Sequence, residues 1–467
     1  MPDPHDLVLR GGRIVCPAGV VEGDLGLSDG RIAAIGKVGS GRSEIDAQGR
    51  WITPGGVDPH AHIEQMSGMG LMNADTYQTA HRSAAMGGTT TVISFAAQAK
   101  GQHLRAAMAD YAARAARGAM IDHAFHIIAA DTAAPGFDTD LAALLSEGHR
   151  SIKVFTTYNI GLSDAQILSV MAIARDAGGL VCVHAENDAI IARARAALLA
   201  VGRTSPRDHA ASRPRMAEIE AVERICRFAE HMDQPVMVFH ISTREGAAAV
   251  RAARARAAPV WAETCPHYLF MDETVLDRPH GAKWMCSPPQ RLPDDQAALW
   301  DALRDGTLDL VSSDHAPYRY DGTGKLSAGP DAPFDRIANG MPGLEVRMPL
   351  MFDAMMTGDR PDPLGFARLT AQAPADIYGL SGKGRIAEGY DADLVIWDET
   401  PFTYGADDLH DNVGYNPWEG QSIAARPATV LLRGEVIVSD GQCRARPGQG
   451  RWLARPPFDR KTGHAQT

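Results

Sequence analysis

Eight short apolar runs alternate with longer amphipathic, alanine-rich stretches through the middle of the chain, and this alternation limits the fold more than any other feature. The runs are GGVDPHAH (55–62), TTTVISFAA (89–97), IDHAFHIIAAD (121–131), SIKVFTTY (151–158), LVCVHAE (180–186), PVMVFHIS (235–242), PVWAETCPHYL (259–269) and LDLVSSDHAPY (308–318). In the intervening segments, such as AQILSVMAIARDAG and AEIEAVERICRFAEHM, apolar residues recur at three- and four-residue spacing, the mark of a helix with one buried face. Strands that read as continuous apolar runs are buried on both faces and parallel, and parallel neighbours need crossover helices. Eight such units predict an α/β chain with a closed (β/α)8, TIM-like barrel over 54–379, against an open doubly wound sheet as the competing arrangement. The long insert at 187–234 has room for a helical pair over the barrel mouth.

The two ends read differently. DLVLRGGRIVCPAGVVEGDLGLSDGRIAAIG near the start, and GRIAEGYDADLVIWDET and ATVLLRGEVIVSDGQ near the finish, are short strands broken by Gly-Gly and Asp-Gly turns. Residues 1–53 and 380–467 are expected to combine into one small β-sandwich domain, with the barrel inserted between them. The polar, proline-rich stretch ARPPFDRKTGHAQT reads as a loose tail or an arm on a neighbouring subunit. A length of 467 residues suits a barrel of about 250 residues or more with a smaller companion.

Composition narrows the class of function. With 45% hydrophobic and 22% charged residues, the chain is neither disordered nor membrane-embedded in type. A net charge of −11 and the lack of a basic stripe argue against binding nucleic acid through its phosphates. No run of about 18 apolar residues is present, and MPDPHDLVLR lacks the basic and apolar regions of a secretion signal, so a cytoplasmic location is expected. The six cysteines, at 16, 182, 226, 265, 286 and 443, form no CxxC pair, which suits free thiols and disfavours a cysteine-rich zinc site.

In a barrel of this kind, function gathers at the C-terminal ends of the strands. The first run closes with His60-Ala61-His62, whose side chains share a face and can point at one ion. HxH alone is a weak signal, but His184, His240 and Asp314 end the fifth, sixth and eighth runs. Any one of these taken singly reads as a hydrogen-bonded core or rim residue; four strands carrying such groups at the same end point to a metal centre. Lys153 lies in the fourth run between Ile152 and Val154, in a chain with only seven lysines. It either reaches out to solvent or is buried, and a buried ammonium would repel the cations. Reaction of its amine with CO2 would instead give a carbamate, an anion with one oxygen for each of two metals.

With these residues in place, the chain resembles the amidohydrolase superfamily, and within it the hydantoinase and dihydropyrimidinase family of cyclic amide hydrolases. The likeness covers nearly the whole chain through GGVDPHAH, AAMGGTTTVISFA, SIKVFTTY, HAASRP, ETCPHYLF, CSPPQR, SSDHAP and NPWEG. The resemblance implies two divalent ions, usually zinc, with His60, His62 and Asp314 on one, His184 and His240 on the other, and carboxylated Lys153 bridging them. It implies that Asp314 shuttles the proton and that Tyr158 hydrogen-bonds the substrate oxygen. Ser287 and Asn339 match positions whose main chain reads the amide edge of the ring. The implied reaction opens a hydantoin or dihydropyrimidine ring to an N-carbamoyl amino acid, in a homotetramer or homodimer without nucleic-acid or membrane partners.

Two alternatives accompany this reading. SSDHAP and TCPHY are similar to the motifs of allantoinases and dihydroorotases, which act on other cyclic ureides. Collapsin response mediator proteins share the fold and act as noncatalytic interaction proteins, but they lack metal ligands that this chain keeps. The loop IEQMSGMGLMNADTY carries Met66, Met69, Leu71 and Met72, expected either to pack under the loop or to form a pliable apolar wall for the exocyclic substituent. His315 and His267 fall near the mouth as candidate supporting groups, whereas His81, His103, His123 and His126 are given no metal role.

Overall fold

The computed structural model describes residues 4–358 and 361–458; the last part of the C-terminal tail, 459–467, lies outside the described residues. Eight parallel strands follow one another in chain order: Gly56–Ala61, Thr89–Ala97, Asp122–Ile128, Ser151–Phe155, Leu180–His184, Val236–Val238, Val260–Thr264 and Leu310–Val311. Helices such as Tyr77–Met86, Leu104–Gly118 and Asp164–Asp176 connect them. Beyond the eighth strand the chain returns to the first. The His315 N–H donates to the His60 carbonyl at 3.3 Å, and the His315 carbonyl accepts from the His62 N–H at 2.7 Å. Beneath this seam Arg347 and Asp58, both fully buried, form an ion pair at 3.2 Å, and Arg347 also donates to the Val311 carbonyl at 3.0 Å. The eight strands thus form a closed barrel, with the order an open doubly wound sheet would not have.

The strands stop sooner than the apolar runs suggest. The sixth run, 235–242, yields only Val236–Val238, and the eighth, 308–318, only Leu310–Val311. His240 and Asp314 have φ of 40° and 44°, a left-handed backbone that no pleated strand can continue. Their side chains are therefore delivered from the ends of strands and not from within them.

The barrel interior is filled by Phe95, Phe155, Met237, Phe239 and Trp261, among others. Its N-terminal end is sealed by Tyr378 and, unexpectedly, by the start of the tail. Phe458 is 8% exposed, its ring centroid lies 5.0 Å from that of Trp261, and its N–H donates to the Gly178 carbonyl at 2.7 Å. Arg455 reaches up to the Ser151 hydroxyl at 3.0 Å and to the Phe125 carbonyl. The described part of the tail is thus neither loose nor an arm on a neighbour. A polar, proline-rich sequence hides this role, because two side chains do the sealing and no periodicity announces them.

Strands from both ends join in a separate nine-stranded sheet. The N-terminal contribution runs from His5–Cys16 to Trp51–Pro54, and the C-terminal one from Leu394–Asp398 to Gln442–Cys443. The two meet where Ile52 pairs antiparallel with Ile396, over a core that includes Leu9, Ile14, Leu25, Leu394 and Leu431. Lys383, 1% exposed, ties this sheet to the barrel base through Asp122 at 2.6 Å, Asp393 at 2.9 Å and Asp391 at 3.0 Å. The insert between the fifth and sixth strands forms helices Asp188–Ala200, Asp208–Ser212 and Arg215–Met232, the first two bordering the barrel mouth.

If Phe458 is a plug, Phe458→Ala lowers the unfolding free energy by about 3 kcal/mol in denaturant melts, the usual cost of emptying a buried phenylalanine site. A loss below about 0.5 kcal/mol, the range of ordinary surface substitutions, would show that the tail seals nothing.

Candidate metal centre

The fold brings together all six residues expected to hold metal. His60 comes from the end of the first strand, with His62 just past it, Lys153 from the fourth and His184 from the last position of the fifth. His240 and Asp314 follow the sixth and eighth on their left-handed turns. Asp314 Oδ1 lies 3.0 Å from His60 Nε2 and 3.7 Å from His62 Nε2. Lys153 Nζ is 3.2 Å from His60 Nε2. The His240 ring stands 4.6 Å from His184 and 5.5 Å from His60, centroid to centroid.

The donor set fits a metal ion. One ligand atom each from His60, His62 and Asp314 lies within 4.8 Å of the others. The far nitrogens of the first two rings are anchored, His60 Nδ1 by Glu263 Oε1 at 2.5 Å and His62 Nδ1 by Gln65 Oε1 at 2.7 Å. That arrangement fixes the tautomer and turns both Nε2 atoms inward. His184 is held from the opposite nitrogen, its Nε2 lying 2.8 Å from Glu186 Oε2, which leaves Nδ1 to the centre. His240 Nδ1 is buried without a hydrogen-bond partner.

Electrostatics favour the ligating forms of His62, His184, His240 and Asp314, while His60 is pulled the other way. Burial, reinforced by Lys153, pushes His62 down to about 4, and burial next to His184 holds His240 well below its ordinary value. His184 is lowered as well, by burial that the nearby Glu186 only partly offsets. Neutral imidazoles are the form a metal takes. At His60, burial and Lys153 press downward, but Asp314 and Glu263 outweigh them and raise it. Burial would raise Asp314, yet the charge of His60 and hydrogen bonds from both neighbouring histidines keep it ionised, well below the usual carboxylate range.

Lys153 does not reach solvent. It is 1% exposed, with Nζ 4.1 Å, 4.8 Å and 5.0 Å from the ring centroids of Phe95, Phe155 and Phe239. Burial brings its amine down to about 8, against the pull of Asp314 and Glu263.

Above this floor opens a cavity of about 520 Å³, bordered by Tyr158, Ser287, Asn339, Phe155, Ile191 and Ile337. Tyr158 has φ of 73°, a third left-handed residue at a strand end and a conformation unusual for an aromatic side chain. Ser287 Oγ and Asn339 Oδ1 are buried without partners, and among the described residues neither main-chain N–H meets a protein acceptor. The methionine wall is narrower than expected. Only Met69 lines the cavity, while Met66 and Met72, 51% and 42% exposed, bridge to each other at the base of a short turn. His315 is occupied by Asp75, 3.0 Å from its Nε2, and serves the barrel seam.

Several supporting groups escaped the sequence. Glu263 is the penultimate residue of the seventh strand, and its position on an apolar run was the available signal. Glu186 follows His184 by two residues, and Arg213, inside HAASRP, clamps it with Nε at 3.0 Å and 3.1 Å from its two oxygens. The same guanidinium lies 5.0 Å over the Tyr158 ring, so one arginine braces both a histidine of the floor and the tyrosine of the wall.

Known proteins resemble this chain over nearly its whole length. The amidohydrolase family model matches residues 51–437. The D-hydantoinase of Streptomyces coelicolor is 39% identical over 464 residues, spanning 96% of this chain and 97% of that protein. The D-phenylhydantoinase of Escherichia coli K12 is 37% identical over 459 residues, with 97% and 98% covered. Among solved structures, the dihydropyrimidinase from Brevibacillus agri superimposes with a TM-score of 0.93 at 33% identity, covering 97% of this chain and 99% of that one.

Glu263→Gln keeps the shape of the group that anchors His60 and removes its charge. Divalent-metal retention, measured by chelator competition and elemental analysis, is expected to fall 10- to 100-fold; unchanged retention would mean that Glu263 does not support a ligand.

Proposed function

The chain belongs to the amidohydrolase family and is a cyclic amidohydrolase, and from that premise we propose that it opens a hydantoin or dihydropyrimidine ring and how its residues divide the work. His60, His62 and Asp314 would hold one divalent ion, His184 and His240 a second, and Lys153 would bridge the pair as a carbamate. Zinc suits this set of imidazole and carboxylate donors. Bound there, the ions supply water acidified to near neutral pH and a Lewis acid at the scissile carbonyl.

Carboxylation needs the neutral amine as nucleophile, and an amine at about 8 is roughly one-tenth neutral at pH 7, far more than an exposed lysine. The nitrogen lone pair forms the N–C bond to CO2 as one C=O π pair moves onto oxygen, and the N–H proton passes to water in the cavity, leaving an anion where a buried cation would be unwelcome. Asp314, held ionised, then takes the proton of the attacking water on a carboxylate oxygen and gives it to the departing ring nitrogen. The Tyr158 hydroxyl donates to the oxygen on which charge develops. The main chains of Ser287 and Asn339 hold the amide edge, and the product is an N-carbamoyl amino acid. The observation that carries this reading is the convergence of one carboxylate, four imidazoles and a buried amine on the floor of a single cavity.

Hydantoin or dihydropyrimidine rings are favoured over allantoin or dihydroorotate, because the relatives and the structural neighbour cited above are named hydantoinases and a dihydropyrimidinase. A homo-oligomer and a cytoplasmic location belong to the same proposal. Among the described residues no helix is long and apolar enough to cross a membrane.

Metal-supplemented enzyme in bicarbonate, assayed on hydantoin, dihydrouracil, allantoin and dihydroorotate, is expected to open the first two with the higher kcat/KM. Preference for either of the others would overturn the substrate assignment. Tyr158→Phe should lower kcat about 10²- to 10³-fold with little change in metal content, as loss of one oxyanion donor does.

A further inference from the structure

Lys325 is fully buried, 0% exposed, and no carboxylate pairs with it among the described residues. Its Nζ donates to two main-chain carbonyls, those of Ala338 at 2.9 Å and Met285 at 3.2 Å. These carbonyls belong to the two segments that contribute Ser287 and Asn339 to the cavity wall. The segments also touch each other, through the Gly340 N–H on the Met285 carbonyl at 2.8 Å. Only glycine fits at 340: its φ is 146°, and a Cβ there would collide with the Ala316 carbonyl. On the other segment His209 Nε2 donates to the Cys286 carbonyl at 2.7 Å.

Peptide planarity turns these contacts into directions. In a trans peptide the carbonyl and the following N–H point to opposite sides. With the Ala338 carbonyl on Lys325, the Asn339 N–H must face away from it; with the Cys286 carbonyl on His209, the Ser287 N–H must face away from that ring. Those are the two N–H groups that meet no protein acceptor among the described residues. We propose that Lys325 is a positioning residue for the substrate ring, fixing the direction and the separation of the Ser287 and Asn339 main-chain groups that hold its amide edge. This rests on the reading of the cavity as a cyclic-imide site. An amine is a poor choice for stability alone, since a methionine would fill the same volume without desolvating a charge. Burial indeed pushes the Lys325 amine down to about 7. What methionine cannot do is hold two carbonyls at once.

The test compares the wild-type enzyme with Lys325→Met and Lys325→Gln on hydantoin and dihydrouracil, together with metal content and melting midpoint. The positioning role predicts a KM for hydantoin raised roughly tenfold in Lys325→Met, the equivalent of one lost hydrogen bond, with a smaller fall in kcat. Because the separation of the two segments changes, the ratio of kcat/KM between five- and six-membered rings should move several-fold at wild-type metal content. The Gln variant, whose shorter side chain ends in an amide NH2, should recover part of the KM. An unchanged KM and ring ratio in folded Lys325→Met would overturn the proposal. So would a loss equal for both rings that tracks the folded fraction. If the Met variant does not fold, the ring ratio of Lys325→Gln decides in the same way. Failure of the functional reading would appear earlier, as a wild-type enzyme that opens neither ring, and is distinguishable from a variant that merely matches it.

Discussion

A lysine amine buried almost completely at the foot of a cavity is the constraint around which this molecule is arranged. Lys153 sits under three aromatic rings and beside one imidazole, with its barrel closed on every side but one. Keeping an ammonium there would cost several kcal/mol. Burial weakens its hold on the proton, and a neutral amine is what reacts with CO2. The features that keep the amine dry therefore belong to the same device: Phe95 and Phe239 in the barrel core, Tyr378 and Phe458 across its base, and the seam that His315 closes against His60 and His62. The open side is the cavity at the strand ends, where substrate would enter.

The same end of the barrel stores backbone strain. His240, Asp314 and Tyr158 all have positive φ, a state that costs on the order of 1–3 kcal/mol for residues of this kind and persists only where the surroundings enforce it. At Asp314 the enforcement is visible: Ser313 N–H donates to Asp58 at 3.2 Å, the next residue bonds both ways to the first strand, and Arg347 pins Asp58 from below. A pleated continuation of these strands would send alternate side chains to opposite faces. The left-handed turns instead end the pleat at His240 and Asp314, so that side chains from different strands can share one small volume.

What the sequence made legible followed from periodicity. Apolar runs separated by amphipathic helices reveal a barrel, and polar residues at the ends of such runs stand out against their surroundings, which is why His60, His62, Lys153, His184, His240 and Asp314 could be named together. Where the strands end was not legible, because the left-handed turns lie among contacts with neighbouring strands, the first strand at Asp314 and the fifth and seventh around His240. Glu263, the Glu186–Arg213 pair and Lys325 were hidden for a related reason: each acts through a partner that is not its sequence neighbour, 203, 27 and 13 residues away. The methionine loop misled in a different way. Apolar character says that a residue can line a cavity, but the bridge between Met66 and Met72 turns those two outward and leaves Met69 alone at the rim.

The central claim is that the buried amine at 153 becomes an anion by reaction with CO2. It is tested most directly by 13C NMR of the metal-loaded, active enzyme reconstituted in 13C-labelled bicarbonate. The account predicts one carbamate carbon per subunit, absent from Lys153→Ala and lost together with metal on chelation. A fully metal-loaded and active enzyme without that carbon would contradict it.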